Sequence, residues 1–525
     1  MKRIALSAII LLCIITSYGQ LNVTEAGKYS YSETLSDIWG YADEDGNEYA
    51  LVGVYNGFSI VDVTDPSELE EVFFESGVMS IWRDIKTWGD YAYVSTEGGD
   101  GIIIVDMSPL PGEVSSTAHF TGVNYPFSTV HNIYIDESGK LYIFGADNGA
   151  GGAIICDLTA DPMNPVELGQ FDDYYLHDGM ARGDTLWGGA LYAGLMVAVD
   201  VSNPAATNIM GSVSTPNQFT HNAWVSDNGE HVFTTDEKSG AFVAAYNVTD
   251  MNDIYETDRV QSNPGSGVIP HNAHVNNDFI VTSYYTDGVI IHDADRPGNI
   301  IEVGNFDTSP EYEGVGFNGC WGAYPFLPSG NILASDMQEG LYVLETEYVR
   351  GCYVEGIVTD SVTGLPLVNT AIKIAGTEYL IFSDLDGTYA FGTPISGTYD
   401  IEYTHEDYPM KTMKDVELEN GVLTELNIEL SNWITAVEEK LINDDISVFP
   451  NPSASSFTVK YSLKNTLSAD AAILIYDLNG RMLVRKSLNK QEGTVNIGND
   501  LPRGSYFVKI SNGEELVQTK RISKL

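Results

Sequence analysis

A repeat that runs through the first two thirds of the chain constrains the fold more than any other feature. Seven segments of one pattern open at Asp37, Asp84, His131, His177, His221, His271 and Cys320, and successive openings are 47, 47, 46, 44, 50 and 49 residues apart. Each segment has a short first strand, a turn rich in Gly, Asp or Asn, a second strand, a Gly-containing loop, an apolar third strand and a weaker fourth strand. Four short strands in about 40–50 residues are typical of a β-propeller blade, because one such sheet needs neighbouring blades to bury both faces.

Seven openings predict seven blades. The last segment runs from its third strand into a different sequence, so it lacks a fourth strand of its own. We expect Gly27–Thr34 to complete this blade and close the ring. The predicted fold is all-β, with a seven-bladed propeller over residues 20–350 followed by two small β-sandwich domains. A β-solenoid or two stacked sandwiches is the competing fold, although solenoid repeats are usually shorter and lack the fourth strand.

The N-terminus has the pattern of a secretory signal. Lys2 and Arg3 precede an apolar stretch, Ile4–Ile15, that is too short to span a bilayer, and small residues precede Gln20. We therefore predict a signal peptide over residues 1–19 and no transmembrane segment after its cleavage. The three cysteines that follow it (Cys156, Cys320, Cys352) are too few for a disulfide scaffold, although one bridge stays possible, with Cys320 and Cys352 the nearest pair.

Charge divides the chain near residues 431–446. The whole chain carries a net charge of −48, yet residues 446–525 hold 11 basic and 6 acidic residues. The rest of the chain is therefore strongly acidic. Such a charge excludes nonspecific nucleic-acid binding and suits either solubility in a salty exterior or binding of divalent cations.

The third strands of three repeats share an apolar pattern that ends in Asp. Phe58–Asp62, Ile102–Asp106 and Leu195–Asp200 resemble the LVIVD repeat. With the repeated His-Asn dipeptides, residues 21–350 resemble the choice-of-anchor B family of extracellular bacterial proteins. This resemblance implies an extracellular propeller and no particular activity.

Two further modules follow the repeats. Residues 353–431, with the turn Thr359–Leu367 and the segment Ser383–Tyr389, resemble the carboxypeptidase-regulatory-like sandwich, which would act as a spacer or stalk. After a linker over 432–445, residues 446–525 contain the blocks Ile446–Pro452, Ile475–Arg481, Leu501–Val508 and Lys520–Leu525. These blocks resemble the type A sorting domain of the type IX secretion system. The resemblance implies contact with that machinery and a secreted or surface location, outside the outer membrane of a Gram-negative bacterium.

The segment openings are the candidate functional residues. The first strand of a propeller blade lines the central channel, so the opening residues should meet at one channel mouth. They provide two carboxylates and four imidazoles, namely Asp37, Asp84, His131, His177, His221 and His271. The loops between second and third strands add a second tier, namely Glu97, Asp147, Asp236, Asp287 and Asp336. This set predicts a site for a divalent metal ion such as Zn²⁺ or Ca²⁺.

A structural role for these histidines is the alternative. A histidine at a repeated position also fits a blade corner, where it hydrogen-bonds an Asp, and the sequence leaves both interpretations open. The change from Asp to His to Cys around the ring favours a shared site, because a corner would repeat one residue. His274 is not expected to be a co-ligand of His271, since residues three apart on a strand point to opposite faces.

Three functions are compatible with this pattern. The first is a secreted or surface protein that binds a ligand, a glycan or a partner protein on the propeller face. The second is a metal-assisted hydrolase or lyase with its site at the channel mouth. The third is a structural surface component without a small ligand. The sequence contains no GxSxG, HExxH or Walker motif that would identify another catalytic class.

Overall fold

The computed structural model describes residues 20–377, 379–431, 445–463, 466–478, 480–512 and 515–525. It has two compact units, one ending at Ser431 and the other formed by the described residues from Asp445 onward. The predicted signal peptide and all but the last residue of the predicted linker lie outside the described residues. Within them, no helix is long and apolar enough to cross a bilayer.

Seven four-stranded antiparallel sheets follow one another along residues 23–346. The first strand of each sheet contacts the first strand of the next, and the last sheet contacts the first, so the sheets form a closed ring of seven blades. Blade 1 contains Leu35–Ala42, Glu48–Val54, Gly57–Asp62 and Glu70–Ser76; blade 2 contains Ile85–Trp88, Tyr91–Val94, Ile102–Asp106 and Ser116–Phe120. Blade 3 contains Asn132–Ile135, Lys140–Phe144, Ala153–Asp157 and Val166–Phe171; blade 4 contains Gly179–Arg182, Thr185–Ala190, Leu195–Asp200 and Asn208–Ser214; blade 5 contains Thr220–Val225, His231–Asp236, Val243–Asn247 and Tyr255–Val260. Blade 6 contains Ala273–Asn276, Phe279–Ser283, Val289–Asp293 and Ile301–Phe306; blade 7 contains Cys320–Tyr324, Ile332–Asp336, Gly340–Thr346 and Val23–Tyr29. A short 3₁₀ turn, Leu191–Ala193, follows the second strand of blade 4.

The ring closes through the N-terminal strand. Val23–Tyr29 pairs antiparallel with Gly340–Thr346 and supplies the fourth strand of blade 7. The closing strand therefore begins four residues before the predicted Gly27–Thr34 and ends at Tyr29. Its start is further fixed by Leu21, whose backbone exchanges hydrogen bonds with Asn305 of blade 6. Joining the first and last repeats in one sheet leaves no open end to the ring.

The core lies between blades. One buried cluster joins Leu51 and Ile60 of blade 1 to Val94 and Val105 of blade 2, and comparable clusters connect later blades. Second and third strands are buried on both faces, which explains their continuous apolar runs, whereas the fourth strand of blade 1 is largely exposed. The first strands are thus held rigidly around the channel.

A β-sandwich follows the propeller within the same compact unit. One sheet contains Cys352–Asp360, Thr388–Thr393, Leu423–Glu425 and Ile428–Leu430. The other contains Leu380–Phe382, Ala371–Ile374, Gly397–His405 and Tyr408–Leu418. Rather than standing off as a stalk, it docks on blade 6. The fully buried carboxylate of Asp293 accepts hydrogen bonds from Arg350, the Gly351 amide and the Tyr353 hydroxyl, and Arg296 pairs bidentately with Glu355.

The second unit is also built from two sheets. The first contains Asp445–Phe449, Phe457–Ser462 and Glu492–Ile497. The second contains Met482–Ser487, Ala472–Tyr476, Gly504–Asn512 and Glu515–Lys524. Its core includes Phe457, Ile475 and Ile510. Across the described chain, Cys156, Cys320 and Cys352 are buried free thiols, so the Cys320–Cys352 bridge that the sequence left possible does not form.

Candidate functional site

Four histidines form a continuous row at one mouth of the channel. The ring centroids of His131 and His177 are 3.9 Å apart, those of His177 and His221 are 4.2 Å apart, and those of His221 and His271 are 4.4 Å apart. Trp321 continues the row, with its ring 5.0 Å from that of His271. The structure thus brings together all four imidazoles that the repeat pattern predicted to meet.

Strand register shows which residues of the other blades belong to this row. Ser95, Thr235 and Ser283 occupy equivalent positions at the ends of the second strands of blades 2, 5 and 6. Their hydroxyls donate to the backbone carbonyls of His131, His271 and Trp321 in the following blades. Trp321, rather than Cys320, is therefore the equivalent of the histidines in blade 7. The register of the paired first and second strands in blades 1 and 2 makes Ser36 and Arg83 the equivalents of the histidines there. We call this layer the imidazole belt, formed by Ser36, Arg83, His131, His177, His221, His271 and Trp321.

Asp37 and Asp84 belong to the next layer. The backbone amides of Asp84, Asn272 and Gly322 each donate to the hydroxyl of an equivalent serine, namely Ser95, Ser283 and Ser335, which places these three residues at one level. The predicted equivalence of the two aspartates with the histidines is thus wrong by one residue. Their layer, which we call the oxygen ring, consists of Asp37, Asp84, Asn132, Asp178, Asn222 and Asn272, with Gly322 at the seventh position.

Two carboxylates reach the belt from loops after second strands. Glu97 Oε1 lies 2.5 Å from His131 Nδ1, and Glu237 Oε2 lies 3.8 Å from His221 Nε2. Glu97 and Glu237 stand at equivalent positions, each two residues beyond the hydroxyl residue that marks the register. Glu97 was predicted in the second tier, whereas Glu237 was missed because its neighbour Asp236 was chosen instead.

The other second-tier aspartates hold loops and do not face the belt. Asp236 accepts hydrogen bonds from the Thr215 hydroxyl and from the amides of Asn217 and Phe219. Asp147 accepts hydrogen bonds from the amides of Ser128 and Thr129. Asp336 accepts hydrogen bonds from the Thr308 hydroxyl and from the amides of Gln338 and Glu339. Asp287 accepts a hydrogen bond from the Ser262 hydroxyl. Each carboxylate is thereby engaged in local structure.

His221, Glu237 and His271 form a compact set of potential metal ligands. One donor atom from each lies within 4.8 Å of the others. His271 Nδ1 is 2.6 Å from the Trp321 carbonyl, which leaves its Nε2 available, and the Tyr285 hydroxyl donates to Glu237 over 2.7 Å. Such hydrogen bonds orient ligands around protein metal sites.

Burial keeps these imidazoles neutral. It lowers the pKa of His271 to about 3, and burial together with neighbouring imidazoles holds the pKa values of His177 and His221 well below their ordinary range. Burial also raises the pKa of Glu237. The Nδ1 atoms of His177 and His221 have no hydrogen-bond partner in the described part of the chain. A metal ion binds neutral imidazole nitrogens, so the set of His221, Glu237 and His271 fits such an ion.

The oxygen ring carries a buried ion pair. Lys86 Nζ lies 2.6 Å from Asp84 Oδ1 and sits over the Trp39 ring. Burial alone would raise the pKa of Asp84, but the Lys86 ammonium holds it below its usual value. In contrast, burial and a hydrogen bond to Asp84 raise the pKa of Asp37 well above its usual range, and burial with the nearby charge of Asp84 raises that of Asp178 to about 6.

A small cavity of about 20 Å³ connects the two layers. It opens beside the half-exposed Trp82. Its lining takes Arg83, His131, His221, His271 and Trp321 from the belt and Asp37, Asp84, Asn132 and Asn272 from the oxygen ring. His274 lies elsewhere, packed against Trp39, Trp224 and Phe326, as expected for a residue that is not a co-ligand.

Comparison with known families agrees with the modules read from the sequence. Residues 46–74, 82–112 and 190–215 match the LVIVD repeat, residues 353–431 match the carboxypeptidase regulatory-like domain, and residues 447–524 match the secretion system C-terminal sorting domain. This chain is a secreted or cell-surface β-propeller protein. The sorting domain is that of the type IX system and implies an interaction with that machinery.

Whole-protein comparisons add little about activity. No curated protein matches the chain. Among solved structures, the β-propeller domain of Cps50 (Swd1) from Myceliophteria thermophila aligns with a TM-score of 0.43 and 10% identity, covering 62% of this chain and 99% of that one. Membership of the choice-of-anchor B family stays a prediction.

Proposed function

We propose that this secreted propeller binds a divalent transition-metal ion at its channel mouth and uses that ion to hold a ligand. The observation that carries the proposal is the group of His221, Glu237 and His271, whose donor atoms lie within 4.8 Å of one another. Two imidazoles and one carboxylate are a donor set that Zn²⁺ accepts. Three protein ligands also leave a fourth position open for an external ligand.

The surroundings of this group support an exchangeable ligand rather than a closed structural site. Exposed aromatic side chains stand around the mouth, with Trp82 40%, Tyr192 77% and Phe317 56% exposed. Phe317 packs against Tyr285, and Tyr192 packs against Tyr175, which in turn lies beside His177. Aromatic faces of this kind suit sugar rings or apolar side chains, so a glycan or a protein is the proposed ligand, met on or outside a Gram-negative cell surface.

A metal-assisted hydrolase or lyase is the second candidate, and the Glu97–His131 pair favours it. A carboxylate 2.5 Å from Nδ1 orients the His131 ring, as in many proton-transfer sites. His131 reaches the metal-binding histidines through His177 in the same row. In this version the ion would supply Lewis-acid chemistry, and His131 would hold or move the proton.

Metal analysis of the purified full chain tests the proposal. We expect one equivalent of zinc after dialysis against trace zinc, and loss of that zinc in His221→Ala and His271→Ala. His231→Ala is the matched control, because His231 is a half-buried histidine on the second strand of blade 5, outside the belt. A wild-type chain that retains no zinc, with the same unfolding midpoint with and without chelator, would contradict the proposal and favour a structural role for the histidines.

Hydrolysis assays then separate the two candidates. If the chain is an enzyme, zinc-loaded protein should cleave a panel of ester, phosphoester and glycoside probes, and His131→Asn should abolish turnover while leaving zinc bound. If it is a binding protein, no probe is turned over, while glycan arrays or surface pull-downs give zinc-dependent binding that Trp82→Ala weakens.

A further inference from the structure

The oxygen ring holds three buried carboxyl groups around one lysine. Asp37, Asp84 and Asp178 are each at most 5% exposed, and the charge of the Lys86 ammonium interacts with all three. Lys86 is paired with Asp84. Among the described residues, neither Asp37 nor Asp178 has a cationic side chain within ion-pair distance. Buried carboxylates are retained at low cost only when a cation or sufficient hydrogen bonds compensate them.

Both carboxyl oxygens of Asp178 accept hydrogen bonds from amides, whereas one oxygen of Asp37 has no partner among the described residues. The Asn222 amide donates to Asp178 Oδ2 over 2.8 Å, and the Gly179 amide donates to Asp178 Oδ1. Asp37 Oδ1 has no partner among the described residues, although it is 4% exposed. Asp37 Oδ1 is therefore a buried carboxyl oxygen of the ring that no described residue satisfies.

Two further oxygens of the same ring are also without partners. Asn132 Oδ1 and Asn272 Oδ1 accept no hydrogen bond from any described residue, and these side chains are 7% and 4% exposed. Together with Asp37 they line the cavity of about 20 Å³, which has room for one water molecule or one monatomic ion. Arg83 also lines this cavity; its Nε and Nη2 donate to the Val54 and Val78 carbonyls, and its Nη1 has no partner among the described residues.

We propose that this cavity is a second cation site, which takes a hard divalent ion of the Ca²⁺ type through oxygens of Asp37, Asn132 and Asn272. Carboxylate and amide oxygens are the ligands such an ion prefers, and the nitrogen donors of the belt are not. Binding at this site needs no ion at His221, Glu237 and His271, so it can be tested independently of the proposed function. Because its ligands come from blades 1, 3 and 6, the ion would tie distant parts of the ring together.

Calcium titration of the chelator-treated full chain tests this proposal. We expect one Ca²⁺ per chain by calorimetry, with affinity at least tenfold weaker in Asp37→Asn and in Asn272→Ala. Asp200→Asn is the matched control, because Asp200 ends the third strand of blade 4, where its carboxylate accepts the Ser202 amide. It belongs to neither layer, so this variant should bind Ca²⁺ as wild type does. Glu237→Gln should weaken zinc binding and leave Ca²⁺ binding unchanged.

A crystal structure gives a second, independent measure if Asp37→Asn does not fold. Crystals of the wild-type chain soaked in Mn²⁺ should show an anomalous peak within ligand distance of Asp37, Asn132 and Asn272. Absence of Ca²⁺ binding by the wild-type chain, unchanged affinity in Asn272→Ala, or an ordered water alone in the cavity would each overturn the proposal. Loss of zinc binding in His271→Ala with no Ca²⁺ binding in wild type would refute this site and leave the proposed function intact.

Discussion

The imidazole belt and the oxygen ring are one residue apart on the same strands, yet they offer opposite chemistry. The belt presents neutral nitrogen donors at the channel mouth, and its row of rings makes few hydrogen bonds of its own. The ring beneath it presents carboxylate and amide oxygens around a buried ammonium. A soft-to-borderline metal suits the first layer, and a hard cation suits the second. The repeat thus sets positions, while the residue placed at each position sets chemistry.

Removal of Lys86 should give the largest effect, because it breaks the charged layer. Lys86→Met leaves Asp84 buried without its cation and should lower the free energy of unfolding by about 3–5 kcal/mol. Urea denaturation in chelator measures this. Lys28→Met is the control, since the Lys28–Glu339 pair is partly exposed and should contribute at most about 1 kcal/mol. Equal losses in the two variants would mean that the ring is not a buried charge network.

Substitutions at Asp236 and Glu237, at the end of the second strand of blade 5, should separate effects on stability from effects on metal binding. Asp236→Ala removes the acceptor of three hydrogen bonds and should cost about 2–3 kcal/mol of unfolding free energy while leaving zinc affinity unchanged. Thermal or urea unfolding and zinc titration are both needed. If Asp236→Ala instead lost zinc at wild-type stability, the assignment of the two residues would be reversed.

Glu237→Gln should affect zinc more than stability. Loss of the carboxylate charge should weaken zinc binding by roughly 10–100-fold, as for groups close to protein-bound metals. Glu97→Gln, at the equivalent position in blade 2, should bind zinc as wild type does, because Glu97 contacts His131 and not the proposed ligands. A competition titration with a chromophoric chelator compares the two variants. A greater loss in Glu97→Gln would move the proposed ion to the other end of the row.

His177→Leu should have the smallest effect. The Nδ1 atom of His177 has no partner in the described structure, so its replacement by an apolar side chain should change the unfolding free energy by less than about 1 kcal/mol. Zinc affinity should also stay unchanged, since His177 lies between the proposed site and His131. Loss of zinc in this variant would identify His177 as a ligand.

Much of the architecture could be predicted from the sequence because the repeat is regular. The apolar third strands and the turn residues between them predict four strands per blade, and the unfinished last blade predicts closure by the N-terminus. The predicted closing strand began four residues too late, because Gly27–Thr34 was chosen for its similarity to other fourth strands. The limits of the observed strand are set by its hydrogen-bonded partner, Gly340–Thr346.

The site could be predicted only in part. The repeat spacing, with His-Asn dipeptides at three of the openings, placed four imidazoles together, but it aligned Asp37 and Asp84 with them instead of Ser36 and Arg83. Aligning Ile85 with Ile133 would have placed Arg83 beside His131 and Asp84 beside Asn132. Glu237 was missed because Asp236 has the same chemistry, and only strand alternation shows which of the two faces the channel.

X-ray absorption and anomalous diffraction at the zinc edge test the central claim most directly. On the zinc-loaded full chain, we predict one zinc ion bound by nitrogens of His221 and His271 and an oxygen of Glu237, with one further light-atom ligand. Zinc held by His131 and Glu97, zinc at adventitious surface sites, or no ordered zinc in the channel mouth would contradict the account.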